Sequence, residues 1–256
     1  MPEIDFFQAS DVGCVREINE DAVGQWPHED GIVFAVADGL GGAEAGEVAS
    51  ALALEVLSRE LARTSGTWTA AKRLRRAFHA ANLEIYNKAI TVPELRGMGT
   101  TLTATALVGA TLVAAHVGDT RLYLLRRGEL TQLTKDHTWV AEQIQYGVIS
   151  AEQARKHPRR GTLTRSLGRE LIVGVDVLTL EARPGDVLLL CSDGIHGIIE
   201  DREMVPLLVK GPETACREFI ELARSRGAPD NVSAQVAAVL NCPPAAARPR
   251  WWRLGR

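Results

Sequence analysis

The run GIVFAVAD (31–38) is apolar and β-branched until it stops at Asp38, which predicts a buried strand. Beyond the glycines that follow, Val48, Leu52, Val56 or Leu57, and Leu61 recur at helical spacing, and Leu74, Phe78, Ala81, Ile85 and Ala89 mark a second apolar stripe. TTLTATALV (100–108) and TLVAAHVGD (111–119) predict two strands around a short glycine turn. RLYLLRRGELTQLT reads as a hairpin turning at Arg127 and Gly128. From about 137 to 168 the chain becomes polar and helical, with Ser150 and Gln153 spaced as a capping box, and an exposed flap is expected there rather than core. Strands return at LIVGVDVLTLEA (171–182) and DVLLLCSD (186–193). A helix is expected from about 213 to 226, stopped by Gly227, and NVSAQVAAVL (231–240) is the last strand. Regular βαβ alternation is missing, so the pattern suits an α+β fold: antiparallel sheets packed face to face, helices outside.

Composition narrows the class. The chain has 256 residues, 46% of them hydrophobic and 24% charged, and a net charge of −3. That balance is globular and gives no pull toward nucleic acid or anionic membrane. No apolar run reaches the roughly 18 residues that span a bilayer, and the start MPEIDFFQASD lacks the regions of a secretory signal. Cys14, Cys191, Cys216 and Cys242 are far apart and read as reduced thiols, so a cytoplasmic protein is expected.

Candidate chemistry lies where the strands stop. FAVADG, AAHVGD and LLLCSDG each end an apolar run in an acid beside a glycine, at Asp38, Asp119 and Asp193, and Asp230 stands just before the last strand. Glu20 and Asp21 follow Arg16 in VREINED. One Asp-Gly after a strand is ordinarily a turn. Several carboxylates at the edge of one core need a positive partner. The donors are oxygen only, which favours Mg²⁺ or Mn²⁺, and their number suggests two ions acting on a phosphoryl group, with Arg16 as phosphate clamp.

Taken in order, SDVGCVREINEDA, VFAVADGLGGAEAGEVAS, GMGTTLTATAL, AHVGDTRLYLLRRGELTQLTKDH, LTRSLG, LLLCSDGI and APDNVSAQV resemble the metal-dependent type 2C protein serine/threonine phosphatases, and most closely their bacterial branch. The resemblance covers roughly residues 5–240. It implies a four-layer α-β-β-α sandwich with two central antiparallel sheets, formed by a catalytic domain over 1–242 with a flap at 137–168; a disordered basic tail is expected at 243–256. It also implies that Asp38 bridges two Mn²⁺ or Mg²⁺ ions, that the Gly39 carbonyl binds one of them, and that Asp193 and Asp230 bind the other. Glu20 and Asp21 would hold metal-bound waters or ligate from outside, and Asp119 with Asp193 matches a third, weaker site. The implied reaction is in-line attack of a metal-bridging hydroxide on phospho-Ser/Thr in proteins, with no phosphoenzyme. The expected partners are a bacterial Ser/Thr kinase and its substrates, and a monomer is expected.

Two positions depart from that pattern. Leu40 stands where many eukaryotic members carry a histidine proposed as general acid, so the leaving-group proton would come from a metal-bound water or another group. His137 is a candidate by residue type, although a structural role suits it better. Gly197 stands where many relatives carry a further aspartate, which weakens the third site. Two other readings stand beside the phosphatase: a phosphoprotein-binding pseudophosphatase, and a hydrolase of small phosphoesters. RPRWWRLGR, near the end of the chain, is either a docking segment or a disordered end.

Overall fold

The computed structural model describes residues 1–28, 31–41, 45–63 and 68–243. The N-terminal part runs β1 (Glu3–Asp11), β2 (Asp21–His28), β3 (Gly31–Leu40), α1 (Ala45–Arg63), α2 (Ala70–Thr91), β4 (Gly99–Thr100) and β5 (Leu102–Val108). Then come β6 (Thr111–Val117), β7 (Arg121–Arg126), β8 (Glu129–Gln132), α3 (Trp139–Gln145), α4 (Ala151–Arg155), β9 (Asp176–Glu181) and β10 (Val187–Cys191). Helices α5 (Asp193–His196), α6 (Asp201–Leu208) and α7 (Pro212–Ser225) precede β11 (Val232–Asn241).

The strands form two antiparallel sheets. One has the order β1-β11-β10-β7-β8; the other runs β2-β3-β5-β6-β9, with β4 on the end of β3. Period-two alternation gives each central strand two apolar faces. On β3, Val33, Ala35 and Ala37 pack with α1 and α2, while Phe34 and Val36 face the other sheet. On β10, Leu189 and Cys191 face the α7 side, and Leu188 and Leu190 fill the space between sheets. Phe6 meets Phe34 edge-on across that space, with ring centroids 5.4 Å apart. These three apolar layers make the four-layer sandwich expected from the sequence.

Leu74, Phe78, Ala81, Ile85 and Ala89 are all buried along α2, whose N-cap Thr69 accepts from Lys72 N. The hairpin turns at Arg127 (φ 54°) and Gly128 (φ 83°), two left-handed residues that match the twist of paired strands. The capping box at Ser150 and Gln153 is formed in both directions.

Three expectations need correction. Residues 171–182 hold a strand only over Asp176–Glu181, because Leu171 and Ile172 are exposed and have no strand partner. The flap is not wholly exposed: His137, Thr138, Val140, Ala154, Ser166 and Leu167 are buried, so its two roots belong to the core. Strands β1 and β2 are further elements the hydrophobic pattern misses; both are edge strands of mixed polarity, and β2 contains Gly24 and Pro27. Gly42 and the tail beyond Pro243 lie outside the described residues.

Strand direction gathers the functional ends. The C-terminal ends of β3, β6 and β10 and the N-terminal ends of β2, β5, β7 and β11 all lie at one end of the sandwich.

Candidate active site

At that end the acids face one another. Asp21 pairs directly with Asp38 across β2 and β3. Asp119 sits two residues beyond β6, Asp193 opens α5 two residues beyond β10, and Asp230 lies two residues before β11. Asp38 feels the charges of Asp21, Asp193, Asp119 and Asp230, so all five aspartates share one electrostatic neighbourhood. Two come from one sheet, two from the other, and Asp119 from the crossing between them.

The backbone around them is held closely. Asp38 N–H donates to Thr101 Oγ1 (2.9 Å), and its carbonyl accepts from Thr101 N (2.9 Å) and Thr100 Oγ1 (2.8 Å). Gly39 N–H donates to the Glu20 carbonyl at 3.0 Å. A Cβ on Gly39 would collide with the carbonyl oxygens of Gly46 and Glu20, and a Cβ on Gly46 would collide with the Glu20 carboxyl. Glycine is required here for close approach, which brings the start of α1 against the VREINED loop. Asn231 stitches that loop to β11: its Oδ1 accepts from Glu20 N (2.8 Å), and its Nδ2 donates to the carbonyls of Val12 (3.0 Å) and Ile18 (2.9 Å). Ser192 Oγ donates to Asp21 Oδ2 at 2.7 Å and so ties one sheet's acid to the other sheet.

The protein supplies little positive charge in return. Arg16 donates from Nη2 to Asp230 Oδ2 at 2.7 Å, half-exposed at the mouth, and that bond holds its guanidinium above its ordinary pKa. Burial pushes Asp21 up to about 7, with Ser192 and Ser233 opposing and Asp193 and Asp230 adding to the rise. Burial and then Asp230 raise Asp193 to about 6 against the pull of Arg16, Arg160 and Arg121. Burial lifts Asp38 and Asp119 well above the carboxylate range, helped by Asp21 at the first and Asp193 at the second. Glu20 is also raised by burial, and its Oε1 is buried without a hydrogen-bond partner.

This donor set fits hard divalent cations. It is all oxygen, its carboxyls crowd one another, and one buried carboxylate oxygen has no partner. Among the described residues no group of three or more His, Cys, Asp or Glu side chains is arranged to hold a metal ion. Leu40 is half-buried and carries no proton to give. Gly197 is exposed, and its N–H closes onto the Asp193 carbonyl at 2.7 Å.

Beside the cleft, the flap root grips the Asp119 loop. His137 N–H donates to Gly118 O (2.7 Å), and Gly118 N–H donates to His137 Nδ1 (3.0 Å). Nδ1 is therefore an acceptor and the ring proton is on Nε2, 3.2 Å from Asp176 Oδ2. His137 is thus a structural residue, its ring occupied by Gly118 and Asp176. His196 Nε2–H donates to Asp119 O at 2.9 Å, and Arg121 makes a bidentate pair with Asp136. Sequence reasoning overlooked Arg160, Ser192, Asn231 and this histidine network. The dense basic run RKHPRR was the available signal for Arg160; nothing local marks the others.

The family model for protein phosphatase 2C matches residues 15–241. The serine/threonine protein phosphatase PstP of Mycobacterium tuberculosis is 43% identical over 236 residues, covering 91% of this chain. The match spans only 44% of PstP's own length. The serine/threonine phosphatase stp of Listeria monocytogenes is 40% identical over 231 residues, covering 88% of this chain and 91% of that protein. The crystal structure of the catalytic domain of PstP in complex with two manganese ions superposes with a TM-score of 0.82 at 39% identity, covering 93% of this chain and 99% of the other. Sequence, fold and the converging acids agree: the chain belongs to the protein phosphatase 2C family.

Proposed function

We propose that this protein is a metal-dependent protein serine/threonine phosphatase that removes phosphate from phospho-Ser/Thr side chains. The observation that carries the reading is the convergence of five aspartates from both sheets with Arg16 as the nearest cation, an arrangement without purpose unless divalent cations complete it. Asp38, Asp193, Asp230 and the Gly39 carbonyl would hold two ions, with Glu20 and Asp21 around them and Asp119 with Asp193 offering a third, weaker place. Two such ions supply Lewis-acid charge and a water of lowered pKa.

The chain's own groups do the rest. Arg16 binds the phosphate, and Asp230 orients its guanidinium toward the mouth. Thr100, Thr101 and Asn231 fix the backbone that carries Asp38 and Glu20, so the acids need no rearrangement when ions and substrate arrive. Ser192 fixes the rotamer of Asp21. Neither Leu40 nor His137 delivers a proton to the departing alkoxide; water in the open cleft does.

The intact acids disfavour the pseudophosphatase reading. Manganese is the ion to try first, because the PstP catalytic domain was crystallised with two. A Ser/Thr kinase acting on the same substrates is the natural counterpart, in the cytoplasm; among the described residues no helix is long and apolar enough to cross a membrane. The test is phosphate release from a phosphothreonine peptide and from p-nitrophenyl phosphate, with Mn²⁺ and with chelator. Mn²⁺-dependent release from the peptide is expected, abolished in Asp38→Asn. Release that chelator leaves untouched, or none from the peptide, would overturn the proposal.

A further inference from the structure

Residues 155–169 contain six cations, Arg155, Lys156, Arg159, Arg160, Arg165 and Arg169, and no aspartate or glutamate, in a chain of net charge −3. Three are neutralised. Arg155 lies 3.9 Å from Glu200, Lys156 3.1 Å from Glu152, and Arg165 3.0 Å from Asp176. Arg159, Arg160 and Arg169 are exposed and form no ion pair among the described residues. Three exposed, unpaired arginines within one short stretch that holds no acid make a place where something negative can arrive.

The segment bearing Arg159 and Arg160 is already shaped. Arg159 N–H donates to His157 Nδ1 (3.1 Å), Arg160 N–H to His157 O (3.0 Å), and Thr162 N–H to Arg159 O (3.0 Å). The His157 ring lies tilted against Trp139 with centroids 4.8 Å apart, and the Arg159 guanidinium lies 5.4 Å from the same indole. Trp139 N–H in turn donates to Thr162 O at 2.8 Å. A turn fixed by its own hydrogen bonds and packed against an aromatic side chain loses little entropy on binding.

Its position is also informative. The Arg169 side chain lies against Gly99, the strand partner of Leu40, and Thr100, which donates from Oγ1 to the Asp38 carbonyl, also donates its N–H to Leu167 O, so the end of the basic segment borders the acid cleft. The charge of Arg160 is felt at Asp193 as well. Arg16 stands at Asp230 on the other acid that Asp193 feels. A phosphorylated side chain reaching the acids carries its neighbours in sequence past this turn.

We propose that the basic turn around Arg159 and Arg160, extended by Arg169, is a docking strip for acidic residues flanking the phosphorylated serine or threonine of a protein substrate. The inference rests on the phosphatase reading and narrows its substrate class to phosphosites in acidic segments. Discrimination comes mainly from KM, because exposed pairs help encounter and weak binding, not the chemical step.

The test compares two phosphothreonine peptides of equal length, one with Asp and Glu flanks and one with Gln and Ser flanks, on the full-length Mn²⁺-loaded protein. At about 0.05 M salt the acidic peptide is expected to show roughly five- to tenfold higher kcat/KM, carried by KM. The ratio shrinks below about twofold at 0.5 M salt, where screening is short-ranged. In Arg159→Glu and in Arg169→Glu the ratio falls toward one or inverts. Equal hydrolysis of both peptides, or a ratio unmoved by salt and by both substitutions, overturns the docking strip and leaves the phosphatase reading standing. Hydrolysis of neither peptide overturns both.

Discussion

The acid cleft and the root of the flap are neighbours built from similar numbers of charged groups, with opposite results. In the cleft, Asp21, Asp38, Asp119, Asp193 and Glu20 are all pushed toward the protonated form, and Arg16 at the mouth is the cation in hydrogen-bond contact. At the flap root every charge is answered. Arg121 meets Asp136 at 2.7 to 3.2 Å through three contacts and donates to Tyr123 Oη at 2.7 Å, while Gln132 donates to Asp136 at 2.9 Å. Burial works against the Asp136 carboxylate, yet Arg121 holds it below its ordinary pKa. His116 and His137 have both ring nitrogens engaged, and His196 donates from Nε2 to Asp119 O. The fold can neutralise buried charge where charge serves only structure. Acids left unneutralised beside such a network are set aside for a ligand.

Four measurements would break or sharpen this contrast. The largest effect is expected for Asp38→Asn: phosphatase activity falls by about 10³-fold or more, some 4 kcal/mol of barrier. The same variant, freed of metal, should melt above the metal-free parent, because one of several repelling charges is gone; a lower melting point would contradict the cleft's unbalanced charge. Next, Arg121→Met should lose about 3–5 kcal/mol in urea denaturation, since Asp136 is then buried without its cation. The double variant Arg121→Met with Asp136→Leu should regain most of that loss, and a double as unstable as the single would argue against pairing as the cause.

The third measurement uses pH. Asp21 at about 7 and Asp193 at about 6 lie above the unfolded value near 3.8, so their contribution to stability is full below about pH 4 and is lost as pH rises through 6 to 7. His116, lowered by burial to about 4, behaves oppositely: its contribution is full above pH 6.5 and is lost as pH falls through 4. His116→Gln should therefore flatten the acid limb of the stability curve by roughly 3 kcal/mol, at about 1.4 kcal/mol per pH unit. Saturating Mn²⁺ should flatten the other limb, and an unchanged slope between pH 6 and 7 would speak against metal binding by these acids. The smallest effect is expected for Arg16→Lys, which loses bidentate geometry while keeping charge: KM for a phosphopeptide rises about tenfold with a lesser change in kcat.

Much of the fold was legible because its central elements obey one period each. β10 is an unbroken apolar run, β3 is one as far as Asp38, β5, β6 and β11 interrupt theirs only with single Thr, His, Ser or Gln residues before their ends, and α2 buries the whole predicted stripe. β1 and β2 were not legible, since edge strands with one half-exposed face alternate too weakly to separate from loop. The acids were legible through their repeated place at strand ends, and the family resemblance supplied their proposed roles. Convergence itself came only from strand direction, which no local pattern carries. His137 shows the limit from the other side: its residue type suggested proton transfer, and its partners Gly118 and Asp176 assign it to holding a loop.

The first strand of the domain pairs along its length with the last, from Glu3 opposite Asn241 to Asp11 opposite Val232. Asp230 and Asn231 lie immediately before that last strand, and Asn231 holds the loop that bears Glu20. A chain still emerging from the ribosome therefore has no complete catalytic end until its final strand is out, however well its earlier strands have folded. On the phosphatase reading, synthesis would act as a timer: activity is expected only once the two extremes of the domain have met, and a product truncated before β11 is expected to release no phosphate from a phosphopeptide.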